Sequence, residues 1–168
     1  MEITRDHVRP ATGNDLEALN DIYNHYVATS HVTFDVEATS IEWRRRWFEE
    51  HADGRHRVFV AILVGRVTGY ASSSQYRAKA AYETTVETSA YVAPDFLGRG
   101  LGTSLYAVLL DALEREDVHR ALAGIAQPNE ASVALHRRFG FHPVAHFSEQ
   151  GRKFDRYWDV DWYERALG

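Results

Sequence analysis

Pro94-Asp95-Phe96-Leu97-Gly98-Arg99-Gly100-Leu101-Gly102-Thr103 is the stretch on which the fold turns. It lies between a β-rich segment, Thr84 to Val92, and a helix expected from about Gly102 to Arg115. Leu101, Leu105, Val108, Leu109, Ala112 and Leu113 make one apolar stripe on that helix. Glycine lets backbone N–H groups approach an anion and tolerates positive φ. A helix N-terminus adds the equivalent of about half a positive charge. Strand, glycine turn and helix therefore suit a phosphate group, and Arg99 can add a charge beside it. No Gly-Lys-Ser/Thr follows, so this is not a Walker loop. The glycines alternate at 98, 100 and 102, which also misses the dinucleotide spacing Gly-x-Gly-x-x-Gly. On the glycines alone, a plain loop before a surface helix remains open.

Reading outward, His7 to Ala11 suits a short first strand. Thr12 or Asn14 caps a helix with Leu16, Leu19, Ile22, Tyr23, Tyr26 and Val27 at helical spacing. Ala28 to Val36 reads as a loop. Thr39 and Glu42 form a capping box for a second helix carrying Trp43 and Trp47, with Gly54 after its end. Val58 to Leu63 is a continuous apolar run, the mark of a strand covered on both faces. Val64-Gly65-Arg66 turns it into Val67 to Ser74. Ala121 to Ala126 is another buried strand, Asn129 caps a helix ending at Gly140, and strands follow at about His142 to Phe147 and Tyr157 to Trp162, with Gly151 in their connection. The order predicts a mixed α/β sheet with a strand-turn-helix unit at its centre, in one domain spanning 1–168.

Composition narrows the function. A hydrophobic fraction of 45% supports a real core. The net charge of −5 argues against general nucleic-acid binding. The absence of cysteine excludes disulfides, thiolate catalysis and cysteine-ligated zinc. Met1 to Pro10 has no apolar leader segment, and no apolar run is long enough for a membrane span, so a cytoplasmic protein is expected. Nine histidines show no His-Glu-x-x-His pattern, and no metal is expected.

The glycine spacing resembles the first coenzyme-A motif of the GNAT N-acetyltransferase superfamily, Gln/Arg-x-x-Gly-x-Gly/Ala. Pro128-Asn129-Glu130-Ala131-Ser132-Val133-Ala134-Leu135-His136-Arg137-Arg138-Phe139-Gly140-Phe141 is similar to the second motif. Ile22-Tyr23-Asn24-His25-Tyr26, Thr85-Val86-Glu87-Thr88-Ser89-Ala90-Tyr91-Val92, and Gly151-Arg152-Lys153-Phe154 with Trp158-Asp159-Val160 resemble the phosphinothricin and methionine sulfoximine acetyltransferase branch. The resemblance covers nearly the whole chain. One departure is Leu97, which stands where the motif leads with Gln or Arg.

The resemblance implies a mostly antiparallel sheet of about seven strands, splayed in the middle and flanked by helices, with acetyl-CoA wedged in the gap. Ala90, Tyr91 and Val92 would pair with the pantetheine. Gly98, Arg99, Gly100, Leu101, Gly102 and Thr103 would hold the pyrophosphate. Asn129 would contact the pantetheine arm or cap its helix, or do both. The branch also implies a homodimer, and the aromatic-rich Tyr157, Trp158, Trp162 and Tyr163 fit either an interface or a core.

Amine acetylation needs a base, because an ammonium group must lose a proton before it attacks. Glu87 is the candidate, since a carboxylate beside a partly dry cleft is a stronger base. A solvent-facing strand glutamate is the plain alternative. His136 occupies the position, seven residues after the motif Asn, where many relatives carry a tyrosine, as proton donor or as structural partner. Backbone N–H groups around Tyr91 and Val92 would polarise the thioester. In the resembled branch the loop Gln75 to Lys79 holds the acceptor, so Arg77, Ala78 and Lys79, with Thr88 and Ser89 beside Glu87, are the expected substrate contacts. Arg77 suits a carboxylate, Tyr76 and Tyr82 would shape the wall, and Phe34 is either pocket wall or core anchor. Lys79 speaks against a methionine sulfone acceptor. Two rival functions stay open: acetylation of a protein N-terminus or polyamine, and non-catalytic acyl-CoA binding.

Overall fold

The structure is a computed structural model, and it describes residues 7–52 and 54–168. Met1 to Asp6, read above as carrying no leader, lies outside the described residues. Seven strands form one sheet: β1 (Val8–Pro10), β2 (Val58–Leu63), β3 (Arg66–Gln75), β4 (Thr85–Val92), β5 (Arg120–Ala126), β6 (His142–Lys153) and β7 (Arg156–Ala166). Their spatial order is β1-β2-β3-β4-β5-β7-β6. Every neighbouring pair is antiparallel except β4 and β5.

Helices cover both faces. α1 (Leu16–Thr29) and α2 (Ile41–Glu49) lie on one, and α3 (Leu101–Leu113) and α4 (Glu130–Arg138) on the other. The α3 face holds the larger core: Leu105, Leu109 and Leu113 are fully buried against Phe59, Ala71, Val86 and Ala121. Each such leucine contributes about 1.5–3 kcal/mol by leaving water. The α1 face is aromatic and polar, with Tyr70, Tyr91, Tyr23 and Trp47 packed around Leu19 and Ile22.

Several expected boundaries move. Helix α2 is capped by Ser40, whose Oγ accepts from the Trp43 N–H at 3.1 Å. Thr39 is drawn away because its N–H, Oγ1 and carbonyl bond to Asn20 and Asn24 of α1. Gly54 does not follow that helix directly: α2 ends at Glu49 and turns intervene. Thr12 precedes a short 3-10 turn, Gly13–Asp15, rather than α1 itself.

The largest correction concerns the last two strands. They run far beyond the expected segments and meet in a tight turn at Phe154 and Asp155, both with φ 54°. Gly151 is therefore no connector but a residue of β6, paired with Trp158. Its requirement is steric. A Cβ at Gly151 would lie 2.2 Å from the Phe34 ring. Gly151→Ala should destabilise the protein by about 1–3 kcal/mol through overpacking, seen as a lowered Tm, and adding Phe34→Leu should recover part of the loss.

Candidate active site

The parallel β4–β5 ladder contains only Thr85↔Arg120, Val86↔Ala121 and Glu87↔Leu122. Beyond Glu87 the strands part, and a cleft of about 580 Å³ opens between them. Thr88 to Val92 form one wall, Ala123 to Ala126 the other, and α4 residues from Asn129 to His136 the floor. Gly98, Gly100, Leu101, Gly102 and Thr103 stand at the mouth. Thus Ala90, Tyr91, Val92, Asn129 and all of the glycine turn except Arg99 line one space.

The mouth has the chemistry of an anion site. Gly98 and Gly100 adopt φ 73° and 81°, with open space where a Cβ would sit. Glycine is there for conformation, not for want of room. The first bond of α3 runs from the Ser104 N–H to the Gly100 carbonyl, 3.1 Å. The N–H groups of Leu101, Gly102 and Thr103 consequently have no partner within the helix. Gly102 serves packing instead, since its Cβ position lies 3.4 Å from Leu135 of α4. Arg99 turns away from the cleft: its guanidinium stacks on Phe96 at 5.0 Å and donates to the Asp95 carbonyl.

Asn129 caps α4, its Oδ1 accepting from the Ser132 N–H at 3.1 Å. Capping uses only the oxygen, so Nδ2 stays available to the cleft it lines.

His136 is 4% exposed. Its Nδ1 lies 2.7 Å from the Ser132 carbonyl, which only accepts, so Nδ1 carries the proton. Nε2 then accepts from the Tyr106 hydroxyl, also at 2.7 Å. Burial pulls the imidazole pKa down, which keeps it neutral. The Tyr106 oxygen lies 3.4 Å from Thr88 Oγ1, so a polar chain links cleft wall to floor. Sequence reading passed over Tyr106; its signal was the i, i+4 pairing with Gly102, which turns that residue toward α4.

Glu87 stands at the apex, in the last paired position of β4. Its side chain shares a face with Ser89 and Tyr91, toward α1 and α2, rather than lining the cleft. Burial raises its pKa. Thr88 and Ser89 do line the cleft. Arg77, Ala78 and Lys79 are exposed on the loop after β3, whose last residue, Gln75, pairs with Val86 beside Glu87. Arg77 stacks over Tyr76 and Tyr82 at 4.9 and 5.5 Å. Phe34 packs on Gly151, so it anchors the α1–α2 loop. Sequence reading placed Tyr26 in a helix stripe and a branch motif without a site role, yet its hydroxyl donates to the Val92 carbonyl at 2.5 Å and it lines the cleft. Among the described residues no group of His, Asp or Glu is arranged to hold a metal ion.

A sheet split at a parallel pair, with a glycine-led helix N-terminus at the mouth, suits a long, phosphate-tailed ligand of the kind acyl-transferring enzymes use. The Acetyltransferase (GNAT) domain family matches residues 8–162, and the chain belongs to that family of acetyltransferases. It is 57% identical over 163 residues to a phosphinothricin N-acetyltransferase of Streptomyces coelicolor, covering 95% of each chain. It is 34% identical to an L-methionine sulfoximine/L-methionine sulfone acetyltransferase of Salmonella typhimurium, covering 95% of this chain and 94% of that one. A GNAT superfamily phosphinothricin acetyltransferase from Sinorhizobium meliloti, solved in complex with acetyl-CoA, superposes with a TM-score of 0.92 at 29% identity, covering 96% and 88% of the two chains.

The buried floor gives a pH-dependent prediction. An unfolded histidine titrates near about 6.5, and folded His136 titrates lower. The unfolded chain therefore gains protons first as pH falls, so the fold loses stability from about 6.5 down through the folded pKa. Urea denaturation should show His136→Gln destabilising more at about pH 7.5 than at about pH 5. Tyr106→Phe, which strips Nε2 of its donor, should cost about 1–3 kcal/mol.

Proposed function

We propose that this enzyme moves the acetyl group of acetyl-CoA to the free amino group of a small amino-acid-like acceptor, of the phosphinothricin or methionine sulfoximine kind. The observation that carries the reading is the coincidence at one apex of the broken β4–β5 ladder, the half-buried carboxyl of Glu87 and the inner end of a cleft whose mouth suits an anion. The close relatives named above supply the acceptor class.

Acetyl-CoA supplies an activated acetyl thioester. The unpaired edge of β4 at Ala90, Tyr91 and Val92 suits its amide-rich arm, the N–H groups of α3 suit its pyrophosphate, and Asn129 Nδ2 adds a side-chain contact. Glu87 takes one proton from the ammonium, freeing the lone pair that forms the new C–N bond as the C–S bond breaks, and the nitrogen's second proton, shed as the amide forms, passes to the departing thiolate. Thr88 is the first cleft-lining hydroxyl beyond the apex. Its Oγ1 donates to the Leu122 carbonyl at 3.3 Å, while Tyr106, whose proton goes to His136, offers it only a lone pair. Turned into the cleft, that Thr88 proton offers the departing thiolate a hydrogen bond. His136 is thus a positioning group, because its one proton is committed to Ser132. Backbone N–H groups near Tyr91 and Val92 polarise the carbonyl.

The acceptor enters from the Glu87 face, beside Ser89 and the 76–82 loop. Arg77 is the candidate for its carboxylate, leaving its aromatic stack to do so, with Ala78 and Lys79 shaping the approach. A polyamine acceptor fits this cationic loop poorly. Homodimerisation along the exposed β6–β7 hairpin fits Val144, Phe147 and Tyr157, each about half exposed. Tyr163 is core, at 3% exposure, and Trp162 lies against Gly124. A cytoplasmic setting suits use of acetyl-CoA, and no helix of the described residues is long and apolar enough to cross a membrane.

Thiol release across an amine panel tests the assignment, with turnover expected on phosphinothricin or methionine sulfoximine. Binding of acetyl-CoA with no thiol release on any amine would leave only a binding module. Glu87→Gln should lower kcat about 10²–10⁴-fold with CoA affinity nearly unchanged in calorimetry. Gly100→Val should weaken CoA binding at least tenfold, because it forces a β-branched residue into φ 81° at the mouth, whereas Leu97→Ala should change it little. Arg77→Ala should raise KM for carboxylate-bearing acceptors with little change in kcat.

A further inference from the structure

In the β3–β4 register Glu87 stands directly opposite Ser74. Opposed residues hold their Cβ atoms about 4.5–5.5 Å apart on one face, so the two side chains are neighbours on that face, although no hydrogen bond joins them in the structure. Ser74 Oγ lies 2.7 Å from His51 Nε2, and His51 Nδ1 lies 2.5 Å from the Trp47 carbonyl. A carbonyl accepts only, so Nδ1 bears the proton and Nε2 is bare. Ser74 must spend its single proton on Nε2. What remains for Glu87 is lone pairs. Such an oxygen welcomes a proton from a neutral carboxyl and has none to offer a carboxylate.

We propose that His51 and Ser74 form a hydrogen-bond chain of fixed polarity that favours the protonated state of Glu87 and so makes it a stronger base. This rests on the reading of Glu87 as the base. The chain starts from a rigid end. His51 is 5% exposed, and its ring stacks on Trp47 at 4.2 Å. Burial, with the neighbouring His56 and Arg44 opposing Glu50, keeps the imidazole neutral and its tautomer defined.

The surroundings of Glu87 do not reverse this polarity. On its own strand and face stands Tyr91, and across the sheet on α3 lies Tyr106, both held neutral by burial. Across the parallel ladder stands Leu122, and the next hydroxyl pair along, Ser72 with Ser89, bonds to itself at 3.1 Å. Among the described residues no cation pairs with Glu87. Burial of the carboxyl acts in the same direction as the chain.

The test titrates Glu87 directly, by the carboxyl infrared band that Glu87→Gln removes, alongside the pH profile of kcat/KM for phosphinothricin. In Ser74→Ala the acid limb and the band titration should both move to lower pH. In His51→Leu they should move further, by about one pH unit or tenfold in proton affinity. The freed Ser74 proton then turns toward the carboxylate and stabilises its charged form. Ser74→Thr keeps the hydroxyl and should hold the wild-type limb. Unmoved titrations in both Ser74→Ala and His51→Leu, or a shift to higher pH, would overturn the proposal. Should His51→Leu not fold, as judged by thermal melting, the contrast between Ser74→Ala and Ser74→Thr decides. Should Glu87→Gln keep wild-type turnover, the base reading fails, while the infrared titration still decides the chain.

Discussion

Three backbone pairs hold β4 to β5, and then the ladder stops. That break is the constraint on which the rest depends. Past Glu87 and Leu122 the facing edges carry N–H and C=O groups that a continuous sheet would have paired. Backbone groups shut away from water need partners, so these edges are tolerable only beside a cleft open to solvent or filled by an extended ligand. An extended ligand adds itself as a strand. A split at a parallel pair also puts a crossover helix, α3, at the mouth, because parallel neighbours must be joined by one. The glycine-led helix N-terminus and the cleft are therefore two consequences of one topological choice.

The two faces of the sheet divide the labour. On the α3–α4 side apolar packing dominates, and the polar exceptions, Tyr106, His136 and Thr88, satisfy one another. On the α1–α2 side aromatic rings and charges mingle. Arg44 is 2% exposed there, with its guanidinium within 6 Å of Tyr23, Trp43, Trp47 and Tyr70. Its Nε donates to Asn20, and its Nη2 has no hydrogen-bond partner. Ring faces replace the missing acceptor, since a desolvated cation over such rings gains up to about 2 kcal/mol. A rigid aromatic bed fits a face that carries Ser74, Glu87 and Ser89, where a displaced side chain would shift the Glu87 carboxyl.

Much of this was legible in the sequence because the information was local. The run Val58 to Leu63, the stripe on α3 and the glycine turn each announce themselves within a dozen residues. What escaped was set by partners far along the chain. Ser40 rather than Thr39 caps α2 because Asn20 and Asn24, on another helix, claim Thr39. Strand β6 shows no alternation because it is an edge strand, exposed on most of its length. Its continuation through Gly151 depends on the ring of Phe34. The stack of Arg99 on Phe96 and its bond to the Asp95 carbonyl were likewise not announced by the glycine spacing. The tautomers of His51 and His136 follow from carbonyls that only the helices bring within reach.

The loop between α1 and α2 shows why the split neither closes nor gapes. A V held only at its apex by three pairs would be a hinge. Here the loop and the end of α1 tie both arms. Tyr26 bonds the β4 arm at Val92. His31 reaches the other side, stacking on Trp158 at 4.0 Å and bonding the Pro128 carbonyl at 3.0 Å. Lys153 of β6, 3% exposed, donates to the carbonyls of Ser30 and Thr33 at 2.7 and 2.8 Å. Phe34 then seats on Gly151 where no side chain intrudes. A lysine buried among carbonyls is costly unless every donor is used, and burial lowers its pKa. Its retention makes sense as a brace: the three carbonyls it gathers, that of Tyr26 at 3.4 Å among them, join the last turn of α1 to the loop that follows. The same residues that finish a helix thereby fix the width of the cleft, and the long hairpin earns its length by reaching them.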